Sequence, residues 1–191
     1  MVLPDDFRFE LPRLETMRLV LRRLGPDDAA DVFAYASDPQ VAAQTTWEAH
    51  RTLDDSREFL NRVMSWYDDG FGGPWGLELK STGQLIGTCG MAITPQHGRA
   101  ELGYALGRAS WGQGLMTETV VEVIRYGFEQ LRLNRIEARC IPPNIGSARV
   151  MEKAGMTYEG TLREQVYYKG SFDDLKMYSI LRREWDALKS R

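Results

Sequence analysis

Long apolar runs are missing from this chain, and no stretch approaches the roughly 18 residues that a membrane-spanning helix needs. Cysteine is scarce too. Cys89 and Cys140 are the only two, far apart and in no CxxC pair, which argues against a disulfide scaffold and for packed thiols in a reduced, cytoplasmic protein. His50 and His97 are the only histidines, and no His/Cys/Asp cluster has the spacing of metal ligands, so no metal site is expected. Neither sign of charge prevails: 24 basic and 27 acidic residues, well mixed, leave a formal net charge of -3. That excludes a surface built to coat nucleic acid, and any basic ligand site must be local. The opening MVLPDDFRFELP has neither the basic n-region nor the apolar h-region of a signal peptide, which again fits a cytoplasmic location away from membranes. Repeats, low-complexity segments and linkers are absent as well. The 191 residues are therefore read as a single domain, 1–191, with residues 1–12 as an N-terminal extension.

What is present suits a packed core, with 43% hydrophobic and 10% aromatic residues. RLVLRRL (Arg18 to Leu24) alternates with period 2 and predicts a strand that Gly25-Pro26 stops. Pro26-Asp27-Asp28 opens a helix whose buried stripe is Ala29, Val32, Phe33 and Ala36, and Asp38-Pro39 ends it. Thr52 caps a second helix, with Asp55 as capping-box partner and Ser56, Phe59, Leu60, Val63 and Tyr67 facing inward. After a loop from Gly70 to Pro74, WGLEL and LIGTCGMA read as strands across the Ser81-Thr82-Gly83 turn. RAELGYAL and RIEARC are further strands on either side of a long central helix. Asn144 caps a short helix that ends at Gly155. Two strands, near Tyr158 to Tyr168 and Phe172 to Leu181, close the chain around Lys169-Gly170-Ser171. The order β-α-α-β-β-β-α-β-α-β-β describes an α/β domain with a mixed sheet covered by helices.

The central helix carries the strongest chemical signal. Met116, Val120, Val123, Ile124, Gly127, Phe128 and Leu131 repeat at helical spacing, and Gly112 and Gly114 stand just before its first turn. Unpaired N–H groups and about half a positive charge gather at such a terminus and favour a bound anion, phosphate above all. A P-loop needs a lysine after its second glycine, and none is present. A Rossmann turn needs a third glycine where Thr117 stands, and only a short link after the preceding strand, whereas five residues separate Leu106 from Gly112. A coenzyme A pyrophosphate loop and a plain turn remain.

ELGYALGRASWGQGLMTE, PPNIGSARVMEKAGM, and YEGTLRE followed by a Gly and an Asp occur in this order, and the chain that carries them resembles the GCN5-related N-acetyltransferases. Within that family it is similar to the branch that acetylates the N-termini of ribosomal proteins. The resemblance runs from LETMRLVLRRLGPDDAADVFAYASDPQV to GSFDDLKMYSIL. It implies a mixed, mostly antiparallel sheet of about seven strands flanked by about four helices. It implies acetyl-CoA as cosubstrate, with the backbone around Gly112, Gln113, Gly114, Met116 and Thr117 on the pyrophosphate and the strand ending at Leu106 along the pantetheine arm. The chain departs from the superfamily pattern at Trp111, where Gln or Arg is usual, and at Met116, where Gly or Ala is. Neither change removes a backbone N–H.

Acetyl transfer to an amine needs alignment, a polarised carbonyl, a neutral amine and a proton for the departing thiolate. For the proton donor the resemblance points to Ser147, and to Asn144 as a coenzyme A contact; read locally, Asn144 is a helix cap and Ser147 an ordinary third-position serine. Val166 and Met151 stand where relatives place a basic Glu or a Tyr, which leaves Glu101 as the candidate base. The resemblance implies that acceptors enter beside Trp47 and His50, and His97 is expected in an exposed turn. The expected activity is transfer to a primary amine, most simply the N-terminal α-amine of a ribosomal protein. A small-molecule amine (an antibiotic, polyamine or amino acid) and a non-catalytic acyl-CoA-binding domain are the alternatives. Monomer and homodimer both stay open.

Overall fold

The alternating segment at Arg18 forms β2 (Leu19–Arg22), and a two-residue strand absent from the sequence reading, β1 (Leu14–Glu15), precedes it. The computed structural model describes residue 4, residues 7–70 and residues 72–189, so part of the N-terminal extension and of the loop after Gly70 lies outside the described residues. The further elements are α1 (Ala29–Ala36), α2 (Pro39–Ala42), α3 (Leu53–Asp68), β3 (Pro74–Leu79), β4 (Leu85–Thr94) and β5 (Arg99–Leu106). They continue with α4 (Leu115–Glu129), β6 (Arg135–Cys140), α5 (Ile145–Lys153), β7 (Thr157–Tyr168), β8 (Ser171–Leu181) and α6 (Arg182–Lys189). Among the described residues there are thus eight strands and six helices, against the seven and four expected. None of the helices is long and apolar enough to cross a membrane.

The chain divides into two compact units, Arg8–Met91 with Tyr104–Thr119, and Met1–Phe7 with Ala92–Gly103 and Val120–Arg191. In the first unit β1, β2, β3 and β4 pair antiparallel in that order. The end of β5 lies beside β4, where the Gly107 amide donates to the Ile86 carbonyl at 2.8 Å. Trp75 is fully buried. Its indole N–H donates to the Pro12 carbonyl at 2.6 Å, and Phe9 packs edge-on against it at 5.9 Å between ring centres. Burying such large apolar side chains contributes about 1.5–3 kcal/mol each, an upper estimate because denatured chains already bury some surface.

The helices of this unit start where their caps dictate. In α3 the Thr52 hydroxyl accepts from the Asp55 amide, while the Asp55 carboxylate accepts from the Thr52 amide at 3.0 Å and the Arg51 amide at 2.7 Å. In α1 the buried stripe includes Tyr35, while Phe33 is only half-buried, a two-residue change from the expected set. The Tyr35 hydroxyl finds a partner in Thr88, which lets a polar-tipped ring sit deep. Asp38-Pro39 does end α1, but the same pair starts α2, because the Asp38 carboxylate caps the Gln40 amide at 2.8 Å and proline suits the first helical position.

In the second unit the early part of β5 pairs parallel with β6, β6 antiparallel with β8, and β8 antiparallel with β7. Val120, Val123, Ile124 and Phe128 of α4 are fully buried. The helix stops at Glu129, so Leu131 lies beyond it, half-buried, and the chain turns through a left-handed Arg132 (φ 54). The added helix α6 docks by stacking Trp185 on Phe128 and by the Arg182 guanidinium on the carbonyls of Leu133 and Phe128. It is only eight residues long and directly follows β8, and the sequence reading carried the closing strand to Leu181 without a helix after it.

Two glycines of β4 make opposite predictions. A Cβ on Gly87 would collide with the Ala105 carbonyl oxygen and approach the Leu106 Cα to 3.0 Å, whereas one on Gly90 would meet Pro74 at an ordinary 3.4 Å. Gly87→Ala is expected to destabilise by about 1–3 kcal/mol through backbone displacement. Gly90→Ala should be neutral or gain up to about 1 kcal/mol from the reduced freedom of the unfolded chain. Calorimetric melting of both variants checks this, and equal melting temperatures would contradict the close approach of β4 and β5.

Candidate active site

The turn before α4 is built as an open anion cradle. Gly112 and Gly114 adopt φ of 72 and 77 degrees, left-handed values that cost a side-chain-bearing residue roughly 1–2 kcal/mol. Gly112, Gln113 and Gly114 are exposed, and Met116 and Thr117 occupy the first turn of α4, where N–H groups lack partners within the helix. Side-chain donors take up the carbonyls on the way into that turn. The Trp111 indole donates to the Leu106 carbonyl at 2.7 Å, and the Gln113 amide group donates to the Ala109 carbonyl at 2.9 Å. Carbonyls tied back in this manner leave amide N–H groups as the exposed polar face, which suits a pyrophosphate. At the end of β5 the Leu106 carbonyl is thus engaged by Trp111 and the next amide by Ile86.

The same unit holds the pair expected at the acceptor entrance. Trp47 and His50 precede α3, with ring centres 5.8 Å apart, and the Phe59 ring centre lies 6.2 Å from that of His50. His50 Nδ1 is 2.8 Å from the hydroxyl of fully buried Ser56. Burial outweighs the nearby Asp55 charge and, with Arg62, holds the imidazole below its ordinary pKa, so it is neutral at pH 7. A neutral ring flanked by two aromatics offers an apolar wall with one polar atom. His97 lies in the turn Pro95–His97, exposed.

The second unit holds the proposed proton-handling residues. Asn144 caps α5, its side-chain oxygen accepting from the Ser147 amide at 2.9 Å. The Ser147 hydroxyl bonds the Cys140 thiol, and this contact, with the charge of Lys176, only partly offsets the upward push of burial on that thiol. Burial alone pushes Cys89 up to about 12. Neither thiol is disposed to act as a nucleophile.

Glu101 stands on β5 directly opposite Glu137 of β6. Two carboxylates facing each other repel, and arginines absorb both. Arg139 holds Glu101 through two bonds of 2.8 and 2.6 Å. Buried Glu137 is gripped by Arg99 at 3.0 Å and by Arg135 at 2.6 Å. Arg135 also clamps Glu159 and, with Ser179, holds that carboxyl at about 2. The Arg139 pairing escaped the sequence reading, since only the parallel register of β5 and β6 brings the two residues together. Met151 is fully buried in α5, and Val166 is half-buried in β7. Among the described residues no cluster of three His, Cys, Asp or Glu side chains has metal-binding geometry.

Comparison with known proteins gives this geometry a setting. The family model described as an acetyltransferase (GNAT) domain matches residues 18–157. Among curated relatives, an uncharacterized N-acetyltransferase, p20, of Bacillus licheniformis is 36% identical over 173 residues, covering 90% of this chain and 97% of that protein. The [ribosomal protein uS5]-alanine N-acetyltransferase of Escherichia coli is 25% identical over 94% of this chain and 96% of its own length. Among solved structures, a GNAT-family acetyltransferase from Bacillus anthracis superposes with a TM-score of 0.82 at 27% identity, covering 90% of this chain and 99% of that one.

The His50 environment makes a direct prediction. Its imidazole should titrate below 6.5 by NMR, the ordinary value for histidine. A folded-state pKa below the unfolded one means that the stability it contributes is present above about 6.5 and is lost as pH falls toward the depressed value. A His50 pKa at or above 6.5 would show that the ring is solvated and the aromatic wall open.

Proposed function

Because the chain belongs to the GNAT family of N-acetyltransferases, which draw their acetyl group from acetyl-CoA, we propose that its acceptor is the N-terminal α-amine of a protein, foremost a ribosomal protein. The observation that carries this reading is the engagement of Glu101 by Arg139, together with a buried Met151 and an apolar Val166 where a base could otherwise stand. Without a strong base, the acceptor must supply its own neutral fraction. An α-amine with a pKa of 7.7–8.0 is roughly 10% neutral at pH 7, whereas a lysine near 10.4 is well below 0.1% neutral. The relative from Escherichia coli that acts on a ribosomal-protein alanine supports the same class. The two unbridged thiols fit a reducing, cytoplasmic setting.

On this reading the amides of Gly112, Gln113, Gly114, Met116 and Thr117 hold the pyrophosphate, the strand ending at Leu106 runs along the pantetheine arm, and Asn144 is a coenzyme A contact. Trp47 and His50 line the acceptor entrance. The amine attacks the thioester carbon, the carbon–sulfur bond breaks, and the Ser147 hydroxyl donates its proton to the departing sulfur. The proton released by the amine passes to solvent water, which returns one to the Ser147 oxygen, so that the hydroxyl is restored and CoA leaves as the thiol. Release of free CoA from acetyl-CoA, measured with peptide N-termini, lysine side chains, polyamines, aminoglycosides and amino acids at equal concentration, tests the acceptor. Peptide N-termini should be turned over fastest; a preference for a small amine or for lysine would overturn this acceptor class and leave the family assignment intact.

The role of Ser147 predicts a split between kinetic constants. Ser147→Ala should lower kcat by about 10- to 1000-fold, the scale of general acid catalysis, with a smaller change in the KM for acetyl-CoA. A change in KM alone would make the residue a cosubstrate contact.

The proposed lack of a strong base predicts the pH dependence. The kcat/KM value should rise with pH and level off near the acceptor's own pKa, about 8, and the midpoint should move when the acceptor's pKa is changed. Glu101→Gln should keep that shape. A midpoint indifferent to the acceptor and abolished by Glu101→Gln would make Glu101 the base after all.

A further inference from the structure

Behind the glycine turn, in the same unit, stands a residue to which neither the family resemblance nor local sequence assigns a role. Arg18, immediately before β2, donates through Nη1 to the Gln113 carbonyl at 2.9 Å. Its Nε and Nη2 both lie 2.8 Å from Oε2 of Glu118, in the first turn of α4. The Arg18 backbone amide donates to the other oxygen, Oε1, at 2.8 Å, and the Thr16 hydroxyl donates to Oε1 as well. Both acceptor atoms of Glu118 are thereby consumed. Burial pushes the Glu118 carboxyl up, but these hydrogen bonds prevail and hold it below the usual carboxylate range, so this carboxylate is charged at pH 7.

Two physical consequences follow. In a trans peptide the C=O of one residue and the N–H of the next point in opposite directions. An arginine that pulls the Gln113 carbonyl toward itself therefore turns the Gly114 N–H away, to the open side of the turn. The guanidinium sits close behind that glycine, 3.7 Å from where a Gly114 Cβ would stand. The second consequence is electrostatic. A carboxylate in the first turn of α4 would oppose a bound anion, and Arg18 neutralises it at contact distance.

We infer that Arg18 is a positioning residue for the donor's pyrophosphate: anchored on Glu118, it sets the Gln113–Gly114 peptide with its N–H toward the phosphates and cancels the Glu118 charge beside them. The inference rests on reading Gly112 to Thr117 as the pyrophosphate loop. It separates Arg18 from a merely structural tie, because only donors that carry the pyrophosphate should sense the change.

The test compares acetyl-CoA with S-acetylpantetheine, the same thioester without the pyrophosphate and the nucleotide it carries, in the wild type, Arg18→Met and Arg18→Lys. The wild type should show a lower KM for acetyl-CoA. Arg18→Met should raise the acetyl-CoA KM by about tenfold or more, with kcat at saturation within about threefold and the S-acetylpantetheine KM within about twofold. Arg18→Lys keeps the charge but not the three-point grip, so it should recover only part of the loss. A wild type that does not distinguish the two donors would overturn the pyrophosphate loop and this inference together. A wild type that distinguishes them, with Arg18→Met unchanged or weakened equally toward both, would overturn the role of Arg18 alone. Full recovery in Arg18→Lys would reduce that role to charge and overturn the orienting one.

Discussion

A helix begins with amide N–H groups that its own carbonyls cannot reach, and in α4 those groups follow a turn that only glycine adopts without strain. Gly112 and Gly114 take left-handed values there, and side chains tie back the carbonyls of Leu106, Ala109 and Gln113. Donors on one side and satisfied acceptors on the other make a surface of a single polarity. The rest of the first unit serves to keep it so. The antiparallel strands β1 to β4 carry Arg18 into place, and buried Trp75, capped by the Pro12 carbonyl, anchors β3 among them. On the proposed reading this surface takes the pyrophosphate of acetyl-CoA, the cosubstrate of the family.

The second unit handles charge in a different manner. Its parallel pairing of β5 with β6 brings Glu101 against Glu137, and Arg99, Arg135 and Arg139 absorb both acids together with Glu159. Such pairs cost desolvation as well as supplying attraction, so their net stability is modest. Their chemical effect is clearest at Glu159, whose carboxyl Arg135 and Ser179 hold at about 2. On the proposed reading, the enzyme leaves deprotonation to the substrate's own pKa and keeps only the hydroxyl of Ser147 for the departing sulfur. The choice of an α-amine over a lysine then follows from acidity as much as from pocket shape.

Much of this was legible in the chain before any fold was known. The 3.6-residue period of α4, the capping boxes and caps at Thr52 and Asn144, the glycine spacing and the period-2 strands are local signals, each set within a few residues by backbone sterics and apolar spacing. The ordered blocks around Gly112, Asn144 and Tyr158 pointed to the family. Short elements stayed hidden: β1 has two residues, α2 is a single capped turn, and α6 is an eight-residue charged helix held by Trp185 and Arg182. The half-buried Phe33 and the early end of α4 were misread because burial depends on what packs opposite.

Side-chain partnerships across long separations belong to tertiary structure alone. Arg18 and Glu118 lie 100 positions apart, and Glu101 and Arg139 lie 38 apart. No pattern in either neighbourhood announces them, since an acid in a first helical turn or on a strand is commonplace. By itself the sequence determined where the longer periodic helices and strands form, where glycine must bend the chain, and which residue types are present for chemistry. The tertiary structure decided which charges are spent on one another, because ion pairing depends on ångström-scale distance, and only the strand register and helix docking set that distance.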